Sequence, residues 1–122
     1  MIILSMNVRG LGGVPKRKSL QRLLNNSKPD LIPFQETMTY GKVASDWLSS
    51  SLHGWNFVSI DAKGHSGGLI SGWNDLFLIE ASTCFTLGIL IQGKSKVDQN
   101  CFKLLNLYGP YINTREFWDD LR

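Results

Sequence analysis

The chain has little with which to staple itself together. It holds only two cysteines, Cys84 and Cys101, without zinc-type spacing or neighbouring ligands. They are expected to be two reduced and mostly buried thiols rather than a disulfide or a metal pair. Only two histidines are present, His53 and His65, which leaves little for a histidine-based catalyst. No apolar run approaches the length of a membrane span, so no membrane partner is expected. The start shows no basic leader followed by a long apolar core and a small-residue cleavage site. The expectation is a protein that is intracellular and not secreted. Acid is missing from residues 1–28, which carry six basic groups: Arg9, Lys16, Arg17, Lys18, Arg22 and Lys28. The local balance of +6 is offset by −3 over the rest, within a net charge of +3. A basic opening of this kind favours a polyanionic partner such as nucleic acid. A merely solvated lysine-rich helix face would give the same count.

What is present is an ordinary globular composition, 43% hydrophobic and 19% charged in 122 residues, enough for one small domain or part of a larger one. Residues 2–7 read as a strand, and Gly10, Gly12 and Gly13 as a turn. Pro15 suits the first turn of a helix, expected over 16–26 with Leu20, Leu23 and Leu24 on its apolar face. Pro29 prevents its continuation. Residues 31–35 read as a second strand in spite of Pro33, which cannot donate to a sheet ladder. A second helix is expected over 39–51, with Val43, Trp47 and Leu48 on one face. After Gly54 come short strands over 55–62, 67–74, 77–85, 86–92 and 101–107, with a polar loop over 93–100. Their connections are too short for crossover helices, so they are expected to be mostly antiparallel. Asn113 and Glu116 have capping-box spacing for a last helix with Phe117, Trp118 and Leu121 on its apolar face. The sequence stops while that helix is still running, and the sheet's packing partner is expected to be missing. The fold class is α+β: one βαβ unit, then mostly antiparallel strands.

Some short strings point to chemistry the rest of the chain does not support. Gly64-His65-Ser66-Gly67-Gly68 matches the G-x-S-x-G of serine hydrolases, but that elbow needs a helix after the serine. Here the strand-like Leu69-Ile70-Ser71-Gly72-Trp73 follows, and no histidine lies downstream. Gly10-x-Gly12-x-x-Pro15 partly resembles a dinucleotide fingerprint, with Glu36 where a ribose-binding acid would sit. Proline in place of the third glycine, and no further βαβ units, stand against it.

Asn7, Glu36 and Tyr108 form a better set, since each ends an expected strand. Ligands of open α/β sheets bind at that carboxyl edge. A carboxylate beside an amide can hold Mg²⁺, which needs few protein ligands and completes its octahedron with water and substrate phosphate. A tyrosine hydroxyl at the same edge can donate to a phosphate oxygen. Each residue alone also has an ordinary reading: Asn7 as a turn former, Glu36 as a capping acid, Tyr108 as half-buried packing.

Four strings occur together and in order: Asn7 within LSMNVRGLG, Glu36 within KPDLIPFQET, Gly67-Gly68 within GHSGGLISGWN, and Asn106-Leu107-Tyr108-Gly109-Pro110. In this the chain resembles the endonuclease/exonuclease/phosphatase superfamily, which includes DNase I and the apurinic/apyrimidinic endonucleases. It most closely resembles the endonuclease domain of plant non-LTR (LINE-type) retrotransposons. The resemblance implies an α/β sandwich of the DNase I-like type, four layers made of two similar halves, of which residues 1–122 would be the N-terminal part. It implies Mg²⁺-dependent hydrolysis of DNA phosphodiester bonds, with Mn²⁺ as a substitute, and nicking that leaves a 3′-hydroxyl for reverse transcription. Carried over, Glu36 ligands the metal, Asn7 orients the metal-site groups or the nucleophile, and Tyr108 holds the scissile phosphate. Arg9, Lys16, Arg17, Lys18 and Asn113 would contact DNA. A complete reading frame would add the rest of a retrotransposon polyprotein, reverse transcriptase included, as a partner, with a nuclear location by analogy.

The chain departs from the pattern at several points. Met6 stands where the family has tryptophan, Pro33 where it has an apolar residue able to bond in the sheet, and Tyr111 where it often has asparagine. The GDFN and Ser-Asp-His motifs are missing from this sequence, so a truncated and inactive fragment is expected. Two alternatives stay open: a catalytically silent domain that binds nucleic acid through its basic N-terminal face, and a non-functional pseudogene product.

Overall fold

A computed structural model describes residues 1–11, 13–63, 67–86 and 88–107. In chain order these form β1 (Met6–Asn7), α1 (Val14–Ser27), β2 (Leu31–Gln35), α2 (Gly41–Ser51), β3 (Asn56–Ile60), β4 (Leu69–Trp73), β5 (Phe77–Phe85), β6 (Gly88–Ser95) and β7 (Cys101–Leu107). One sheet has the order β1-β2-β4-β3 and the other β5-β6-β7. β1 and β2 are parallel across α1, and every other pairing is antiparallel. This is the expected α+β arrangement of one βαβ unit followed by antiparallel strands.

β1 is much shorter than the strand expected over 2–7, and Pro33 is the reason. The odd-numbered residues of β2 turn their backbone groups toward the first segment. Leu31 N–H donates to Ile2 O, Leu4 N–H to Leu31 O and Val8 N–H to Gln35 O. Pro33 falls between these contacts with no N–H to give. The ladder drops to an isolated Ile3–Leu31 bridge and resumes as Met6–Phe34 and Asn7–Gln35.

α1 starts with proline in its first turn and ends at Lys28, which turns left-handed at φ 46° while its N–H donates to Leu24 O. Leu20 and Leu24 are buried and Leu23 packs beside them, as the stripe predicts. The buried face of α2 is Gly41, Ala44 and Leu48, with Trp47 beside it and Val43 exposed. It is turned by one position from the expected face. Gly41 sets the rotation: a Cβ there would strike the Ser59 side chain on β3, so the helix's first turn lies directly against the sheet.

β2 and β4 are buried on both faces. Ile32, Phe34 and Ile70 join the two helices in one cluster, while Leu31 and Leu69 join Phe77, Ile89 and Ile91 of the second sheet in another. The layers therefore run helices, first sheet, second sheet. Such double burial is why 31–34 reads as a nearly unbroken apolar run.

The second sheet is a meander with a bulge in β5 between Ile79 and Ala81. Gly93 faces it, and a Cβ at that position would run into the backbone of Leu78 and Ile79. β6 thus continues to Ser95, and the expected loop over 93–100 shrinks to a turn. In that turn Asn100 N–H donates to Asp98 Oδ1 and holds the carboxyl below the usual aspartate range. Both cysteines are free in the fold, and both are exposed rather than buried as expected. In β7 the burial alternates, so Cys101, Lys103 and Leu105 are exposed while Phe102 and Leu104 pack inward. Cys84 lies beyond the bulge, near the end of a strand with one unpaired edge among the described residues. No described helix is long and apolar enough to cross a membrane. Tyr108, Asn113 and the expected last helix lie outside the described residues.

Candidate functional site

The register of two parallel strands builds the site. Asn7, the last residue of β1, pairs with Gln35, the last residue of β2, and Glu36 follows at once. The amide and the carboxylate therefore stand on adjacent strands at one carboxyl edge, as the sequence predicts. Asn7 is exposed, and its Oδ1 accepts the Arg9 N–H at 3.1 Å. This Asx turn bends the chain out of the sheet, with Arg9 at φ 50°.

Glu36 sits on a cradle of three loops. Gly10 N–H donates to Glu36 O at 2.7 Å and Leu11 N–H to Thr37 O at 3.0 Å. Thr37 N–H donates to Gly68 O at 3.1 Å and Met38 N–H to Gly67 O at 2.9 Å. The loop after β1, the loop after β2 and the entry to β4 are thereby laced together. Within this lacing Glu36 and Met38 adopt φ of 54° and 55°. Left-handed conformations cost a non-glycine residue about 1–2 kcal/mol. Strain of this kind persists only where surrounding structure over-determines it, and it gathers at functional sites. Glu36 is half-buried, and its carboxylate meets no partner among the described residues.

The basic residues divide into two groups. Lys16 Nζ donates to Arg9 O at 2.7 Å, and Arg17 Nε donates to Leu11 O at 2.8 Å. The Arg17 guanidinium also lies over the Trp47 ring, 5.8 Å from its centroid. Both cations are therefore engaged in holding the loop that carries Asn7. Lys18 is exposed and lines a shallow groove with Gln21, Arg22 and Asn25 along α1. Arg9 is exposed on the Asn7 loop itself.

The donor chemistry at this edge is one carboxylate and one amide, hard oxygen donors of the kind Mg²⁺ takes when waters and phosphate complete its shell. Among the described residues no group of three or more His, Cys, Asp or Glu could hold a metal ion, so a closed tetrahedral zinc site has no basis there. The sequence reading missed Thr37. It is 1% exposed, and Gly68 at φ 89° leaves it room: a Cβ at Gly68 would land on Thr37 Oγ1. The Gly67-Gly68 pair was the available signal, but which residue it makes room for depends on the tertiary fold.

No protein-family model and no curated protein matches the chain. Solved structures do. The AP endonuclease LMAP from Leishmania major superposes with a TM-score of 0.66 at 17% identity, covering 88% of this chain and 40% of its own. The human Nocturnin catalytic domain with bound sulfate gives 0.72 at 15% identity, over 99% of this chain and 57% of its own. The 3′ phosphatase NExo from Neisseria bound to product DNA hairpin gives 0.63 at 16% identity, over 98% and 48%. The fold is thus that of the DNase I-like endonuclease/exonuclease/phosphatase proteins. The chain spans about half the length of the structures it matches.

Proposed function

We propose that this chain carries part of a Mg²⁺-dependent site that hydrolyses DNA phosphodiester bonds, of the kind that LINE-type retrotransposons use to nick their target. The observation that carries this reading is Glu36, its backbone held left-handed on a three-loop cradle and its carboxylate without a partner among the described residues, beside Asn7 at the carboxyl edge of two parallel strands. The names of the structural neighbours, AP endonuclease and DNA-bound 3′ phosphatase, support it. So do the four ordered strings of the LINE-type resemblance.

Glu36 would hold the metal, with Asn7 beside it. Asn7 Oδ1 accepts the Arg9 N–H and keeps a second lone pair that could face the metal, while its Nδ2 hydrogens could orient a phosphate oxygen or the attacking water. By the same resemblance, Tyr108 would hold the scissile phosphate. A bound Mg²⁺ would neutralise the charge developing on the phosphate and lower the pKa of its water. These 122 residues hold neither GDFN nor Ser-Asp-His. Positioned acid–base groups contribute roughly 10²–10⁴-fold each, so this stretch by itself should nick DNA very slowly. A second reading, a silent domain that binds DNA, is favoured by the exposed Lys18 and Arg22 on α1.

Calorimetry with Mg²⁺ or Mn²⁺ on the purified chain tests the first reading. Saturable binding abolished by Glu36→Gln, at unchanged thermal stability, is expected. Equal binding by the variant would remove Glu36 from the metal site and the reading with it.

A further inference from the structure

One polar side chain crosses the apolar seam between the two sheets. Asn106 on β7 pairs with Ile89 on β6 and is 1% exposed. Its Nδ2 faces Phe34 O, Ile70 O and Ser71 Oγ, each at 3.1 Å. Its Oδ1 accepts Gln35 Nε2 at 2.8 Å, and Gln35 Nε2 also reaches Pro33 O at 3.2 Å. The second sheet is thus hydrogen-bonded through a buried amide to the last residue of β2. Burial alone does not ask for this. An apolar side chain at position 106 would fill the seam with no partner to satisfy, whereas a buried amide is costly unless it is bonded.

The residue that the amide holds is the one that leads into Glu36. Gln35 pairs with Asn7 on β1 and Leu69 on β4, and its carbonyl accepts the Val8 N–H at 2.9 Å. These bonds lie in the plane of the sheet, and chain ends within a sheet open most readily. The bond to Asn106 ties the same residue out of that plane, to a strand of the other sheet. On the far side of Glu36, Thr37 is fixed by its N–H to Gly68 O and by Leu11 N–H to its own carbonyl. Glu36 is therefore the one residue between two anchored neighbours, and its φ of 54° is a conformation that a side-chain-bearing residue leaves when it can. An anchor on Gln35 is what such a conformation requires.

We propose that Gln35 and Asn106 are positioning residues for Glu36: the buried amide of β7 holds the end of β2, and so keeps the Glu36 carboxylate at the sheet edge beside Asn7 where it would hold Mg²⁺. Both act through Glu36 and neither through contact with the metal. This rests on the function proposed above, because it concerns the same carboxylate.

The test titrates Mn²⁺ into the purified chain and its variants and reads free Mn²⁺ by electron paramagnetic resonance. Gln35→Met and Asn106→Leu should each weaken Mn²⁺ binding by about 10- to 100-fold, the usual loss when a residue that orients a metal ligand is removed. The double variant should bind no more weakly than the weaker single one, because the two residues act through one bond. Ile91→Val thins the same seam without touching either amide and should leave the affinity within about two-fold. A purely structural role predicts that all these variants behave alike, and that result overturns the positioning role. Should Asn106→Leu fail to fold, Gln35→Met decides, because it leaves Asn106 its contacts with Phe34, Ile70 and Ser71. Mn²⁺ binding that is lost in Glu36→Gln but unchanged in Gln35→Met also overturns it, and leaves the proposed function standing. So do losses that add in the double variant. No Mn²⁺ binding by the unsubstituted chain overturns the proposed function and this inference with it.

Discussion

Gly68→Ala is expected to destabilise the protein by about 2–5 kcal/mol. Two separable costs add. The backbone at Gly68 has φ 89°, and placing a Cβ in the left-handed region costs about 1–2 kcal/mol. The new methyl would also land on Thr37 Oγ1, with Met38 N at 3.3 Å and Ala62 Cβ at 3.4 Å closing off other directions. Thr37 is 1% exposed and cannot swing into solvent, and overpacking of a filled site costs about 1–3 kcal/mol. The two costs can be told apart by a double-mutant cycle in urea. Thr37→Ala removes the obstructing hydroxyl. Gly68→Ala in that background should therefore lose only the backbone share, a coupling of about 1–3 kcal/mol between the two positions. Because Thr37 N–H donates to Gly68 O and Gly10 N–H to Glu36 O, the single variant should also speed amide exchange at both positions. A loss below about 1 kcal/mol, or the same loss in both backgrounds, would refute the close approach of these loops as the reason for glycine.

Arg17→Met keeps the aliphatic stem but removes the bond to Leu11 O and the cation over Trp47. With the side chain half-exposed, a loss of about 1–2 kcal/mol is expected, together with faster amide exchange at Gly10 and Leu11. Unchanged exchange there would mean that Arg17 does not hold the loop. Lys18→Gln with Arg22→Gln should leave stability within about 0.5 kcal/mol. If α1 lies on DNA, the log-log salt dependence of binding should shallow by about 0.9 for each phosphate that the variant no longer neutralises. An identical slope would take this face of α1 off the DNA.

The strands of the first sheet were legible for a physical reason. Residues 31–34 are apolar on both faces because helices cover one side of β2 and the second sheet the other. A doubly buried strand announces itself even with a proline inside. That Asn7 and Glu36 stand at one sheet edge was legible too, because a crossover helix between two such strands makes them run parallel. Burial of the cysteines was not. Cysteine is on average a buried residue, but the face it takes in a meander is set by alternation and by the bulge between Ile79 and Ala81, whose one trace in the sequence, Gly93 on the facing strand, reads equally as a loop glycine. The face of α2 was misjudged for a related reason. Val43 is the more apolar side chain, yet Gly41 is what lets the helix approach Ser59, and a contact distance is invisible to periodicity.

Charge misled in a subtler way. Counted along the sequence, Arg9, Lys16, Arg17 and Lys18 form one basic cluster, and a cluster invites a phosphate. In the fold, two of the four act on backbone carbonyls: Lys16 on Arg9 O and Arg17 on Leu11 O. Those carbonyls belong to the loop that positions Asn7. Reversing Lys16 and Arg17 therefore removes positive charge and releases the site loop in one step, and weakened DNA binding in such a variant would not separate the two effects. Lys18 and Arg22, exposed along α1, can report on phosphate contact alone. What composition cannot distinguish is a cation held for a ligand from a cation used by the fold, because an amide carbonyl and a phosphate oxygen ask for the same donor.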